Sequence, residues 1–219
     1  MIKENIERVR RRIEQACLRI KADPDKIKIV CVTKGRAVSQ IQEAGSLGLK
    51  DIGENRVQEA FQKYKQIPGV KWHMIGHLQS NKVKKALKIF DLIHSVDTVG
   101  LAQEINRHCL KIDKIQDILL EVKTSGEATK FGFSGQDLTA AYAEIKKLEN
   151  VEVKGLMTIA PAVSNAQEAR PYFLELRQLR DKLNPNWLLS MGMSDDFEVA
   201  IEEGASIIRL GRVIFQDNV

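Results

Sequence analysis

The chain has 219 residues, 43% of them hydrophobic and 29% charged, and 34 Lys plus Arg against 29 Asp plus Glu give a formal net charge of +5. That balance is ordinary for a globular chain and excludes disorder, and no apolar run approaches the roughly 20 residues of a membrane span. The charged start, Met1 to Ala16, lacks the apolar core of a secretory signal, and three sparse cysteines (Cys17, Cys31, Cys109) point to a reducing cytoplasm.

Residues 2–22 predict a long amphipathic helix with no strand before it. Eight short apolar runs follow, at 27–33, 51–53, 72–76, 92–96, 118–122, 153–157, 187–191 and 207–210, and they read as strands. Helical spacing fills the intervals. Ile41, Ala44 and Leu47 mark a helix over 39–47; Leu101, Ile105 and Cys109 one over 100–110; Leu138, Tyr142, Ile145 and Leu148 one over 137–148; and Phe173, Leu176, Leu179 and Leu183 one over 166–183. A further helix follows Ser194-Asp195-Asp196. The basic run Asn81 to Lys88 has no interleaved aromatics and reads as the solvated face of a short helix with Val83 and Leu87 inward, not as a nucleic-acid footprint.

Strands alternating with helices imply parallel pairing through right-handed crossovers, and eight such units predict a single α/β domain over 1–219, a closed (β/α)₈ barrel. The tail after the last strand is too short for a full eighth helix, and the extra N-terminal helix is expected to stand in its place against the barrel wall.

In such a barrel, chemistry gathers where strands end. Lys34 closes the first strand behind Val30-Cys31-Val32, so its amine is expected to start from a partly desolvated strand; it is either a nucleophile for Schiff-base chemistry or a lysine that snorkels to water. Ser194 and the helix start behind it, with Gly192 and Gly211, suit an anion, although Ser194 equally suits a helix cap. Arg209 interrupts an apolar strand and must meet either a barrel carboxylate or a ligand acceptor. His77 and His94 are weak signals alone, and no His, Cys and carboxylate set has metal spacing.

An amine, a phosphate cradle and an arginine at one barrel mouth suggest pyridoxal 5′-phosphate. The stretches Val32-Thr33-Lys34, Gly53-Glu54-Asn55-Arg56-Val57-Gln58-Glu59, Trp72 to Lys82, His94-Ser95-Val96-Asp97, Gly155-Leu156-Met157-Thr158, Leu189 to Asp196 and Arg209-Leu210-Gly211-Arg212 span nearly the whole chain. On these the sequence resembles the YggS/PROSC family of pyridoxal phosphate homeostasis proteins. The third stretch and Ser190-Met191-Gly192-Met193-Ser194 are the specific ones.

The resemblance implies a barrel like the N-terminal domain of alanine racemase and a cytoplasmic monomer that carries pyridoxal phosphate without robust turnover, with apoenzymes that use the cofactor as candidate partners. It places the Schiff base on Lys34, lines the cofactor with Asn55 and Met157, sets His77 near it, surrounds its phosphate with Ser194, Gly211 and Arg212, and faces Arg209 to the pyridine nitrogen. An arginine there makes the ring a weaker electron sink than a carboxylate would. Two departures stand out. Arg212 replaces a small hydroxyl residue common in relatives, and Ile214-Phe215 leads to Gln216-Asp217 in place of the usual glycine. The rival is a racemase-type enzyme of the same barrel, which needs a second base; Tyr64, Tyr142 and Tyr172 all fall in helical patterns away from strand ends. A third reading, a basic barrel for another phosphorylated metabolite or a nucleic acid, predicts no visible chromophore.

Overall fold

A computed structural model describes residues 1–125 and 131–216. The first helix, α1 (Ile2–Ile20), leads into β1 (Lys28–Val32), α2 (Val38–Ser46), β2 (Asp51–Glu54), α3 (Val57–Lys63), β3 (Lys71–Met74), α4 (Val83–Ala86), β4 (Leu92–Val96), α5 (Val99–Leu110) and β5 (Gln116–Lys123). Then come β6 (Phe133–Ser134), α6 (Leu138–Ile145), β7 (Val151–Met157), α7 (Arg170–Leu183), β8 (Leu188–Ser190), α8 (Phe197–Glu202), β9 (Ile207–Leu210) and α9 (Arg212–Phe215). The strand order β4-β3-β2-β1-β9-β8-β7-β5 closes on itself through β4 and β5, and every pairing is parallel. This is the expected eight-stranded barrel. The two-residue β6, which pairs Val122 with Phe133 at the end of β5, lies outside it and was not expected from the sequence.

The core has two parts. Val30, Leu92, Leu119, Met157 and Ile207 come from five strands and Ile75 from the residue after β3; they form one small cluster, which only the barrel interior can bring together. The alternate residues, such as Cys31, Ile52, Ile93 and Ile208, join the larger layer under the helices. Val83 and Leu87 in the basic run are buried, as their spacing predicted.

Two ladder irregularities matter for the site. Against β5, β4 skips from Ile93 to Val96, so His94 and Ser95 occupy a bulge and both are buried. Against β5, β7 steps from Val153 to Gly155, where a Cβ would stand 2.0 Å from the Leu188 carbonyl oxygen, so only glycine lets β7 and β8 meet.

The N-terminal helix fills the wall beside the short α9. Asn5 Nδ2 donates to the Ile214 and Gln216 carbonyls, each at 3.0 Å. Arg12 binds both oxygens of Glu198 on α8 at 3.2 and 2.9 Å and lies 4.5 Å over the Phe197 ring. Arg19 reaches Glu202 at 2.6 Å. No described helix is long and apolar enough to cross a membrane.

Candidate functional site at the barrel mouth

The turn after β1 carries the first site residue. Thr33 is buried, Lys34 and Gly35 are exposed, and Gly35 sits at φ +68°, a left-handed conformation that spares the turn a side-chain clash. The amine of Lys34 therefore does not start from the desolvated strand expected of it: β1 ends two residues earlier, at Val32. Among the described residues it has no hydrogen-bond or ion-pair partner.

What is buried is the support of the turn. Lys63 Nζ, at the end of α3, donates to the Thr33 carbonyl at 2.8 Å, to Glu54 Oε1 at 2.8 Å and to Glu59 Oε1 at 2.6 Å. Thr33 Oγ1 donates to Glu54 at 2.6 Å, and the Gly35 amide donates to Glu59 at 2.5 Å. The residues on both sides of Lys34 are thus tied to one ionic knot outside the barrel. Burial pushes the Glu54 carboxyl up against the pull of Lys63 and Thr33, and its second oxygen has no partner among the described residues.

Arg209 stands inside the mouth, 4% exposed. One guanidinium nitrogen donates to Ser190 Oγ at 2.8 Å and another to the Thr158 carbonyl at 2.9 Å. No described carboxylate is hydrogen-bonded to it. Burial lowers its pKa to about 10 against the field of Asp196 and Glu121. Of the two fates open to it in the sequence, a carboxylate partner or a ligand acceptor, the first is not taken, and N–H groups remain to face a ligand.

The loops after β8 and β9 converge beside it. The Val213 amide lies 3.5 Å from Ser194 Oγ, and a Cβ on Gly211 would stand 3.3 Å from Val32 Cβ, two residues before Lys34. Ser194 does not cap α8; Asp196 holds that position, and its carboxylate turns back to accept the Met193 amide at 2.6 Å. Arg212 is exposed and its guanidinium is paired with Asp195, so the side chain swings outward from the cradle. Gln216 is the last described residue, so the altered tail at Asp217 lies outside the described residues.

Asn55 and His77 occupy the rim between β2 and β3, in a cleft of about 640 Å³ shared with Arg56, Gln58, Gln79 and Lys82. His77 Nδ1 pairs with Asp97 at 3.0 Å, and its ring stacks on Phe131 with centroids 3.8 Å apart. Met157 is fully buried in the interior cluster and closes the mouth from below.

Several polar residues of this interior were given no site role by the sequence, although Ser190 lies in the stretch Ser190 to Ser194. Glu121 of β5 is 8% exposed, and burial first, then Asp97, push its carboxyl up to about 7 while Arg209 pulls it down. His73 and Ser190 join His94 in a buried file below Arg209 that ends on the partly exposed Asp51. A polar residue alternating with apolar ones inside a strand was the available signal, as it was for Arg209. No group of His, Cys, Asp or Glu among the described residues could hold a metal ion.

A free amine on a fixed turn, a buried guanidinium with unused donors, a hydroxyl beside two converging loops and an apolar floor fit pyridoxal phosphate in its separate parts. The comparisons agree. The model of the alanine racemase N-terminal domain matches residues 1–219. The pyridoxal phosphate homeostasis protein of Aquifex aeolicus is 44% identical over 219 residues, covering 97% of this chain and 96% of that one. The protein of the same name from Pseudomonas aeruginosa is 37% identical, covering 98% and 94%. PipY of Synechococcus elongatus, solved with pyridoxal phosphate bound, superposes with a TM-score of 0.84 at 35% identity, covering 98% of this chain and all of that one. Alanine racemase of Clostridium difficile shares the fold, with a TM-score of 0.77 at 16% identity over 56% of its length.

The fold and the mouth thus define a barrel of the alanine racemase N-terminal class. Within that class the chain belongs to the YggS/PROSC family, the pyridoxal phosphate homeostasis proteins.

Proposed function

We infer that the chain binds and carries pyridoxal 5′-phosphate, holding it on Lys34 and buffering or handing on the cofactor without robust turnover of a substrate. The observation that supports this most is the Lys34 amine, unpartnered among the described residues, on a clamped turn at the same mouth as the buried Arg209. When bound, the cofactor supplies an aldehyde that condenses with a primary amine, with loss of water, and a pyridine ring that withdraws electrons.

The chain's own residues do the rest. Lys34 offers the amine. Arg209 would face the ring nitrogen with its remaining N–H donors and, as a cation, would disfavour a proton there. Ser194 and the backbone at Gly211 and Arg212 would hold the phosphate, the Arg212 side chain being paired with Asp195. Asn55 and His77 would border the bound cofactor, and Met157 would give it an apolar floor. The domain spans 1–219 and acts as a monomer. Its three described thiols are free and buried, which suits the cytoplasm. Apoenzymes that use pyridoxal phosphate are the partners this role requires.

The racemase reading is disfavoured by where the tyrosines lie. Tyr64 packs on Phe61 and Tyr142 on Trp187, and Tyr172 is on α7; none is at a strand end. Enzyme-like exchange of solvent deuterium into an amino acid at Cα would revive it.

The absorbance spectrum with added pyridoxal phosphate, followed by borohydride reduction and peptide mapping, tests the assignment. We expect a visible band that reduction fixes onto Lys34 and that Lys34→Ala abolishes. A colourless protein, or covalent label retained by Lys34→Ala, overturns it.

A further inference from the structure

The barrel interior holds a continuous file of five polar side chains running from the mouth to the floor. Arg209 Nη1 donates to Ser190 Oγ at 2.8 Å, and Ser190 Oγ lies 2.9 Å from His94 Nδ1. His94 Nε2 lies 2.9 Å from His73 Nδ1, and His73 Nε2 lies 2.9 Å from Asp51 Oδ1. Lys28 Nζ adds a bond to the same Asp51 oxygen at 3.1 Å. All but Asp51 are buried; Asp51 reaches a floor cleft lined by Arg10, Lys26 and Lys50, at the opposite end of the barrel from Lys34.

The two ends set the direction of the file. A guanidinium can only donate, and an ionised carboxylate can only accept. Burial raises the Asp51 carboxyl, but the bonds from His73 and Lys28 outweigh it and hold the group below its usual range, so it is ionised at neutral pH. His73 Nε2 must then carry a hydrogen. With His73 neutral, its Nδ1 is bare and accepts from His94 Nε2–H. His94 Nδ1 is then bare and accepts the Ser190 hydroxyl hydrogen, while a Ser190 lone pair receives Arg209. Each intermediate group donates once and accepts once, and none is orphaned.

His94 faces Ser190 from β8, His73 from β3, Arg209 from β9 and Lys28 from β1. Burial first, then His73, Arg209 and Lys28, push its basicity well below that of an ordinary histidine, so it stays neutral. A cationic His73 would reverse the two bonds above it, with His94 donating from Nδ1 instead. The His94 tautomer therefore reports the direction of the file.

We propose that Asp51, His73, His94 and Ser190 are positioning residues, forming a one-directional hydrogen-bond relay that orients the Arg209 guanidinium at the mouth from a carboxylate at the barrel floor. Its effect on cofactor binding rests on the reading of Arg209 above; the relay itself rests only on this geometry.

The test is nitrogen NMR of the full chain with labelled histidines, without cofactor, at mildly alkaline pH. We expect His73 and His94 both to carry hydrogen on Nε2, with bare Nδ1. Asp51→Leu removes the terminal acceptor and shifts the His94 resonances although the two residues do not touch; Asp51→Asn keeps an acceptor and restores them. A wild-type His94 protonated on Nδ1, or one unmoved by Asp51→Leu, overturns the relay, and the wild-type spectrum decides even if Asp51→Leu fails to fold.

Ser190→Ala supplies the second readout. It should weaken pyridoxal phosphate binding about tenfold, the worth of one hydrogen bond to a charged group, with borohydride still labelling Lys34. Unchanged affinity overturns the link to the cofactor. A wild-type chain that binds no pyridoxal phosphate sinks the function assigned above, while the tautomers still judge the relay.

Discussion

Replacing Glu121 by Gln tests the electrostatics of the mouth in the cofactor-free protein. Burial, reinforced by Asp97 and opposed by Arg209, raises this carboxyl from 4.5 to about 7. In the unfolded chain it ionises near its ordinary value, about 4.3. Between those two values the folded protein holds a proton that the unfolded chain has lost. The contribution to stability is therefore full below the unfolded value and disappears as pH rises through about 7. At about 1.4 kcal/mol per unit, the rise from 4.5 to about 7 is worth about 3–4 kcal/mol, of which about 3 kcal/mol falls above pH 5. Urea unfolding of both proteins from about pH 5 to about pH 8.5 reads it. His94 works the other way, since it is held neutral when folded and charges in the unfolded chain as pH falls. Both proteins carry it, so the difference between their profiles isolates Glu121. The wild type should lose about 3 kcal/mol relative to Glu121→Gln across that range. Parallel profiles would show that Glu121 titrates as an ordinary carboxyl and refute the reasoning.

Three other substitutions probe the scaffold. Lys63→Met leaves Glu54 charged and buried without its cation, and should cost about 3–5 kcal/mol in urea unfolding; a loss under about 1 kcal/mol would show that the knot is not a buried ion pair in solution. Gly155→Ala would force a methyl into the Leu188 backbone, and we expect a loss of about 3 kcal/mol or more, read as a drop in thermal midpoint; an unchanged midpoint would mean that the β7–β8 contact is looser than described. Arg12→Ala removes a half-exposed bidentate pair to Glu198 and the stacking on Phe197, worth about 1 kcal/mol, part of which salt should screen. Equal stability of variant and wild type at low salt would mean that this contact contributes nothing to docking α1.

The local sequence determined a good deal by itself. β-Branched apolar runs separated by one-sided helical stripes dictate parallel strands with helical crossovers, and counting them yields the closed barrel. Lys34, Asn55, Ser194, Arg209 and Gly211 stand out in the sequence as candidates because each is out of keeping with its surroundings: a polar group, or a residue without a side chain, in or just after an apolar strand. The two-residue β6 was not legible, since its ladder depends on its neighbour β5 and on no pattern of its own.

Only the tertiary structure decided which of these groups meet. His94 lies 96 residues from Ser190 and 21 from His73, and the bulge in β4 aims it inward; no spacing in the chain encodes that meeting. The burial that the sequence assigned to the Lys34 amine belongs instead to Lys63, which holds the turn from behind. Arg212 has a carboxylate within reach only because the β8 and β9 loops converge. Side-chain type and periodicity act over a few residues, whereas register, bulges and barrel closure bring strands together across the whole chain. Those long-range constraints set which buried polar groups meet beneath the mouth.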